Sequence, residues 1–251
     1  VLFPDITYSF YQVWANLYRI PYVCPKLDGK FRIVKEDYYR ANGGVIFPNP
    51  NAPTGVYMPL DQVEEILKAN QDVVVIVDEA YVDFAGPSAL ELLDKYENLL
   101  VVQTFSKSRS MAGMRIGFAM GHPDLIRALN DVKYSYNSYT MNLPSLLAGV
   151  EAVKDKEYFE KTIEKIVATR EHAKKRLTEL GFTFPNSQSN FIFASHKSVP
   201  AEKIFEALKK EQIYVRYFKT PGLDNSLRIS IGTDEEMDTL FRFLEAYLPN
   251  A

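Results

Sequence analysis

The sequence is poor in cysteine, in long apolar runs and in unbalanced charge. Its 251 residues include one cysteine, Cys24, which cannot form an internal disulfide bond and therefore fits a reducing, cytosolic setting. Its longest apolar run, Val73 to Val77, is far shorter than the roughly 20 residues that cross a bilayer as a helix. These absences exclude a disulfide-stabilised scaffold and a protein with transmembrane helices.

Neither sign of charge dominates, since 29 basic and 32 acidic residues give a formal net charge of −3. A protein that grips nucleic acid usually carries a basic excess, so that class is disfavoured. The three histidines, His122, His172 and His196, do not have the spacing of metal ligands, and we expect no metal site. A hydrophobic content of 47% against 24% charged residues indicates one or two globular domains rather than a disordered chain.

Short apolar runs alternate with helical patterns in the first half, which predicts an α/β fold with a parallel or mixed sheet. Runs without polar alternation are typical of strands that are covered on both faces. The predicted strands are Val1–Phe3, Ile20–Val23, Val45–Phe47, Val73–Val77, Leu99–Thr104 and Arg115–Met120. A helix is predicted over Asp61–Asn70, where Asp61 and Glu64 have the spacing of a capping box. Its apolar stripe consists of Val63, Ile66 and Leu67.

The pattern changes after about residue 141. A long amphipathic helix is predicted over Tyr158–Leu180, and Gly181 ends it. The elements predicted next are the strand Asn190–Ala194, the helix Ala201–Glu211 and the strands Tyr214–Tyr217 and Leu227–Ile231. A final helix has a capping box at Thr233 and Glu236. We therefore predict a large α/β domain over residues 1–145 and a smaller α+β domain over residues 146–251.

Asp78 and Glu79 directly follow an apolar strand. Ligands of open α/β sheets bind beyond the carboxyl ends of the strands, so an acid at this point is placed to meet one. The alternatives are a solvated loop acid and the magnesium-binding strand of a P-loop ATPase. The ATPase also needs a G-x-x-x-x-G-K-[ST] loop, and no such loop occurs in the sequence.

Lys107 follows another apolar strand and has hydroxyl residues on both sides. A lone lysine is usually a solvated surface residue, but one in this position could form a Schiff base with an aldehyde cofactor. Ser106, Arg115 and Thr104 could bind the phosphate of such a cofactor, with the arginine in fork geometry.

Taken in order, these residues resemble those of a known family. The motifs are Asn51-Ala52-Pro53-Thr54-Gly55, Asp78-Glu79-Ala80-Tyr81 and Ser106-Lys107 through Arg115. They resemble the fold-type-I pyridoxal-phosphate-dependent aminotransferases, most closely those that act on histidinol phosphate. The resemblance covers nearly the whole chain. It implies a three-layer, mixed-sheet large domain, a smaller C-terminal α+β domain and pyridoxal 5'-phosphate as the cofactor.

The resemblance also implies roles for individual residues. Lys107 would bind the cofactor covalently and then move the proton, and Asp78 would pair with its pyridine nitrogen. The remaining cofactor contacts would be Asn51 and Tyr81 at the phenolic oxygen, Tyr8 on the ring face, and Ser106 and Arg115 at the phosphate.

Two arginines near the C-terminus are candidates for binding substrate. Arg228 lies in the otherwise apolar strand Leu227–Ile231, where an unpaired charge is costly. A structural ion pair or a side chain that reaches the surface would explain it as well. The resemblance implies that Arg228 binds the anionic group of the substrate and that Arg216 forms a second anion site. The expected substrates are an amino donor, such as histidinol phosphate, and 2-oxoglutarate.

The resemblance implies a homodimer, while the composition indicates a cytosolic protein that binds neither nucleic acid nor membrane. It also implies that the chain lacks the N-terminal part of the family's large domain, with a glycine-rich phosphate-binding turn, so we expect weak cofactor binding. Two other functions remain open at this point. One is a pyridoxal-phosphate-dependent decarboxylase of phospho-amino acids, and the other is the effector domain of a transcription regulator.

Overall fold

The computed structural model describes all 251 residues and contains two four-stranded sheets. The strands of the first sheet are β1 (Val45–Pro48), β2 (Val75–Asp78), β3 (Leu99–Thr104) and β4 (Gly117–Gly121), in the order β1-β2-β3-β4. The first three strands run parallel, and β4 pairs antiparallel with β3. The predicted mixed α/β sheet is confirmed.

Helices cover both faces of the first sheet. α2 (Leu60–Ala69) connects β1 to β2 and places its predicted apolar stripe, which is fully buried, against one face. On the other face, Ile46 packs against a cluster that contains Phe3 and Tyr11, the latter from α1 (Phe10–Leu17). Burial on both faces removes the apolar side chains of the strands from water, which stabilises the sheet as a central layer.

The second sheet is antiparallel, has the order β5-β6-β8-β7 and encloses a separate core. Its strands are β5 (Phe182–Thr183), β6 (Phe191–His196), β7 (Arg216–Tyr217) and β8 (Leu227–Ser230). The other helices are α3 (Pro123–Tyr136), α4 (Leu143–Lys154), α5 (Lys156–Glu179), α6 (Ala201–Lys210) and α7 (Asp234–Tyr247). Short 3₁₀ helices span Lys35–Tyr38, Val82–Phe84, Ala89–Leu92, Ala112–Met114 and Leu248–Asn250. None of the helices has both the length and the apolar character needed to cross a membrane.

The predicted helix ends are confirmed at two positions and wrong at one. Thr233 and Glu236 form the reciprocal capping box of α7, and Gly181 follows α5 with a φ of +84°. The capping box predicted at Asp61 and Glu64 is absent, because α2 begins after Pro59 and has no side-chain cap. Glu64 instead accepts a hydrogen bond from the Tyr96 hydroxyl at 2.8 Å.

Three predicted strands are shorter than expected. Around Val1–Phe3 and Ile20–Val23, the only β pairing is a pair of isolated bridges from Leu2, one to Val23 and one to Val45. The prediction over Tyr214–Tyr217 is reduced to the two residues of β7. β7 is the edge strand of the second sheet and has a neighbouring strand, β8, on one side only.

A glycine turn joins the two halves of the molecule. Gly55 has a φ of +76°, and its carbonyl accepts a hydrogen bond from the backbone N–H of Gln188 at 2.8 Å. A Cβ atom built on Gly55 would lie 2.8 Å from Ser187 Cβ and closer still to its hydroxyl. The turn that contains Asn51 therefore contacts the segment before β6 only because residue 55 has no side chain.

We predict that Gly55→Ala destabilises the fold by about 1–3 kcal/mol, since the substitution combines left-handed strain with a steric clash. Thermal unfolding of the purified chain measures the effect. Gly43→Ala is the matched control, because a Cβ at that position meets nothing within 4 Å. Equal melting temperatures for the two variants would contradict this prediction.

Candidate active site

The loops that carry the predicted site residues leave one edge of the first sheet. In the parallel register, Asp78 at the end of β2 lies beside Pro48 of β1 and Val102 of β3. Asn51 therefore follows β1, and Lys107 follows β3, at the same carboxyl edge. Parallel pairing thus brings together three motifs that are far apart in the sequence, at the edge where α/β sheets bind ligands.

Asp78 is held by two donors at this edge. Its carboxylate accepts a hydrogen bond from the Tyr11 hydroxyl at 2.6 Å and one from the backbone N–H of Ala80 at 3.1 Å. Burial raises the pKa of Asp78 above its usual range, although both hydrogen bonds and the charge of Lys107 oppose the shift. No cation lies within ion-pair distance of this carboxylate. It is therefore suited to pair with a cationic nitrogen of a ligand.

Tyr11 is a site residue that the sequence reasoning missed. Burial and the adjacent Asp78 carboxylate raise the pKa of Tyr11 well above its ordinary value, so the hydroxyl remains a hydrogen-bond donor. Tyr8 lies close by, with its ring 5.6 Å from that of Tyr11 and 44% of its surface exposed. The separation of three residues between the two tyrosines is the available sequence signal, because it places both on one side of a helical turn.

Glu79, the second acid of the Asp78-Glu79-Ala80-Tyr81 motif, is bonded within the chain and is not a candidate for binding a ligand. It is 2% exposed and accepts hydrogen bonds from the Ser88 hydroxyl, the Ala89 backbone N–H and the Gln103 amide at 2.5–2.8 Å. Burial raises the pKa of its carboxyl group. Glu79 therefore serves the structure by tying the segment after β2 to β3.

The Asn51 side chain is buried and holds the chain that precedes Tyr8. Its oxygen accepts a hydrogen bond from the Thr7 hydroxyl at 3.1 Å, and its nitrogen donates to the Ile6 carbonyl at 2.9 Å and the Thr54 hydroxyl at 3.1 Å. Both N–H groups of the amide are thus engaged within the chain. The predicted contact with a cofactor oxygen stays a prediction, and it requires one of these two bonds to be exchanged.

Lys107 is exposed, and its amine lies 5.4 Å from the centre of the Tyr81 ring. The next two residues anchor its loop. Ser108 is buried and donates a hydrogen bond to Asp83, while Arg109 donates to the Ala152 carbonyl at 2.6 Å. The loop is therefore fixed directly after Lys107, while the lysine side chain itself is exposed to a ligand.

The predicted phosphate-binding residues form a set of donors without an acidic neighbour. The Thr104 hydroxyl donates to Ser106 Oγ at 3.0 Å and accepts from the Ser106 backbone N–H at 3.1 Å. Arg115 is exposed in a left-handed conformation, and its guanidinium donates one hydrogen bond, to the Ala112 carbonyl. The free donors of such a guanidinium are suited to a phosphate.

Arg216 and Arg228 lie directly opposite each other on β7 and β8, and neither forms an ion pair. The alternative of a structural ion pair for Arg228 is therefore wrong. The buried Nε of Arg228 has no hydrogen-bond partner, and its guanidinium lies 5.1 Å from the centre of the Phe191 ring. Since like charges directly opposite destabilise a sheet, this pair indicates a site for an anion.

Ring contacts connect the two halves of the candidate site. The Tyr81 and Phe191 rings meet edge to face with their centres 5.1 Å apart. Lys107 lies over the first ring and Arg228 over the second. The amine at the edge of the first sheet and the Arg228 guanidinium of the second sheet thus lie against the same pair of touching rings.

Comparison with known proteins identifies the family. The family model for aminotransferase class I and II matches residues 1–244. The chain is 50% identical over its whole length to a histidinol-phosphate aminotransferase of Brachyspira hyodysenteriae and covers 71% of that protein. The chain therefore belongs to the class I and II aminotransferases, and it is an aminotransferase that uses pyridoxal 5'-phosphate.

Solved structures confirm the fold. The histidinol-phosphate aminotransferase of Clostridium acetobutylicum superimposes with a TM-score of 0.93 at 25% identity, over 100% of this chain and 78% of that one. The Sinorhizobium meliloti histidinol-phosphate aminotransferase, solved in complex with pyridoxal 5'-phosphate, gives a TM-score of 0.86 at 24% identity, over 99% and 69%. The predicted fold class of the pyridoxal-phosphate-dependent transferases is confirmed.

The residues at this edge fit the cofactor. Asp78 would supply a half-buried carboxylate for a protonated pyridine nitrogen, and Lys107 an amine for an aldehyde. Ser106 and Arg115 would supply hydrogen-bond donors for a phosphate. Each group is thus chemically suited to one part of pyridoxal phosphate.

We predict that Asp78→Asn weakens pyridoxal phosphate binding roughly 10- to 100-fold while it stabilises the cofactor-free chain. Because the folded-state pKa of Asp78 is raised, the wild-type carboxyl group lowers stability increasingly as the pH rises through that pKa. The gain in melting temperature from the substitution should therefore be larger at about pH 8 than at about pH 4.

Absorbance titration with the cofactor and thermal unfolding provide the two measurements. Asp61→Asn, at an exposed acid in the first turn of α2, is the control that should leave cofactor binding unchanged and should not stabilise the chain. A variant at position 78 that binds the cofactor as tightly as the wild type would refute the assignment.

Proposed function

We propose that this aminotransferase transfers the amino group of an anionic donor, histidinol phosphate or a related amino acid, to 2-oxoglutarate. The observation that carries the proposal is the opposed pair Arg216 and Arg228, two cations without counter-ions across the ring contacts from Lys107. The names of curated relatives that are about 50% identical over the whole chain support histidinol phosphate, and with it a role in histidine biosynthesis.

The proposed site combines two domains, residues 1–145 and residues 146–251. The first would bind the cofactor through Tyr8, Asn51, Asp78, Tyr81, Ser106, Lys107 and Arg115. The second would bind the anionic group of the substrate through Arg216 and Arg228. The two separate hydrophobic cores support this division.

Pyridoxal phosphate supplies an electron sink for the negative charge that develops when the Cα–H bond of the substrate breaks. Asp78 keeps the pyridine nitrogen protonated by its negative charge, and the Tyr11 hydroxyl orients that carboxylate. The Lys107 amine, in its neutral form, would take the proton from the substrate Cα and deliver it to the cofactor carbon on the other side of the nitrogen. The anchors at Ser108 and Arg109 hold the lysine loop still while the proton moves.

Arg228 orients the substrate by binding its anionic group. Its guanidinium lies 5.1 Å from the centre of the Phe191 ring and 6.0 Å from that of the Phe218 ring, and these contacts limit its rotation. Arg216 lies 5.3 Å from the Phe218 ring and is exposed, so it can reach a second negative charge. Two separate cations favour substrates with two anionic groups, such as 2-oxoglutarate.

We also propose that the enzyme is a cytosolic homodimer. Exposed apolar side chains on α1 and α4 support an association surface. On α1 these are Phe10, Val13, Trp14 and Leu17, and on α4 they are Leu143, Leu146, Leu147, Val150 and Val153.

The test is an assay of purified enzyme with pyridoxal phosphate in two arms. Glutamate is measured with histidinol phosphate and 2-oxoglutarate, and carbon dioxide is measured with a phospho-amino acid, which carries the carboxylate that a decarboxylase needs. We expect glutamate, and we expect Arg228→Gln to raise KM for both substrates about 10- to 100-fold, because a charge-assisted hydrogen bond is lost. Arg216→Gln should raise KM by about tenfold or less, since that side chain is exposed.

Arg242→Gln serves as the control, because this exposed arginine of α7 contacts only Thr239. Carbon dioxide without glutamate would identify a decarboxylase and overturn the proposal. An unchanged KM in Arg228→Gln would remove the arginine from the substrate site.

A further inference from the structure

Arg170 is a buried arginine at the junction between the two sheets. It lies on α5, is 6% exposed and donates through Nη1 to the Phe84 carbonyl at 2.8 Å and the Ser189 carbonyl at 3.2 Å. Its Nε donates to Glu171 at 2.9 Å. A buried guanidinium loses its hydration, so it is retained only where fixed acceptors replace water.

The two carbonyls belong to different halves of the molecule. Phe84 ends the 3₁₀ turn that directly follows Tyr81, at the carboxyl edge of the first sheet. Ser189 is two residues before Phe191, which begins β6 of the second sheet. One guanidinium thus connects the backbone beside Tyr81 to the backbone beside Phe191.

Tyr81 and Phe191 form the ring contact that lies between Lys107 and Arg228. A shift of Phe84 relative to Ser189 therefore changes the distance between the amine and the anion-binding guanidinium. We infer that Arg170 is a positioning residue that sets this distance by fixing the two carbonyls to each other. The inference rests on the proposed function, in which Lys107 moves the proton and Arg228 binds the substrate.

The guanidinium group suits this task better than an ammonium group would. Its planar fork presents several N–H groups in a fixed geometry, so that it reaches both carbonyls and Glu171 at once. Lys174 donates to Glu171 at 2.8 Å and to Asn186 at 2.9 Å, which ties the acid to the segment before Ser189. Arg170 therefore has fixed acceptors at both Nε and Nη1.

The test compares Arg170→Met and Arg170→Lys with Arg176→Met. Arg176 is on the same helix, pairs with Glu245 and lies over the Phe241 ring, and all these contacts stay within the second half of the molecule. We expect Arg170→Met to lower kcat about 10- to 100-fold with less than a threefold change in KM, because misplaced reacting groups slow the chemical step more than binding. Arg176→Met should change kcat less than twofold.

Arg170→Lys separates positioning from stability, since it keeps a buried cation and one hydrogen bond. We expect its melting temperature to lie nearer to the wild-type value than that of Arg170→Met, while its kcat stays lowered at least fivefold. An Arg170→Lys enzyme with wild-type kcat would overturn the inference, as would equal losses of kcat in Arg170→Met and Arg176→Met.

Hydrogen exchange of the 251-residue chain gives a readout that does not depend on turnover. The Gln188 amide, which donates to Gly55 across the junction, should exchange faster in both Arg170 variants and at the wild-type rate in Arg176→Met. Unchanged exchange in the Arg170 variants would contradict the inference. If the wild-type enzyme fails to transfer an amino group, the proposed function fails, and the exchange rates alone decide the role of Arg170.

Discussion

The parallel pairing of β1, β2 and β3 is the constraint on which the candidate site depends. Because parallel strands end at one edge, the segments after them meet there, although Asn51 and Lys107 are far apart in the sequence. Asp78 is the last residue of β2, the middle of the three parallel strands, and therefore lies between the segments that carry Asn51 and Lys107. Any slip of this register by one residue would turn Asp78 toward the opposite face of the sheet.

The main charged groups of the candidate site have no oppositely charged partner within the chain. Asp78 is half-buried without a cation, and Arg228 keeps a buried donor without an acceptor. Arg216 places a second positive charge directly opposite. Each of these arrangements lowers the stability of the chain, and in the proposed function each would meet an opposite charge on the cofactor or on the substrate. Ligands that supply the opposite charges would therefore recover this lost free energy when they bind, and would stabilise the folded chain.

Much of the fold and the core of the site could be predicted, because the motifs follow apolar strands within contiguous segments. Features that join distant segments could not. The bond from Tyr11 to Asp78 spans 67 residues, and the bond from Arg170 to Phe84 spans 86. In a sequence, Arg170 resembles any charge on the solvated side of a helix. Tertiary contacts also override local signals. Glu64 has the spacing of a capping residue, but its carboxylate accepts a hydrogen bond from the distant Tyr96 hydroxyl instead.

In the proposed function, Lys107 is the residue that binds pyridoxal phosphate covalently. Borohydride reduction of the enzyme with its cofactor makes that bond permanent, so that mass spectrometry of the peptides identifies the lysine. We expect one phosphopyridoxyl group per chain, carried by the peptide that contains Lys107. Labelling of another lysine, or none at saturating cofactor, would contradict it.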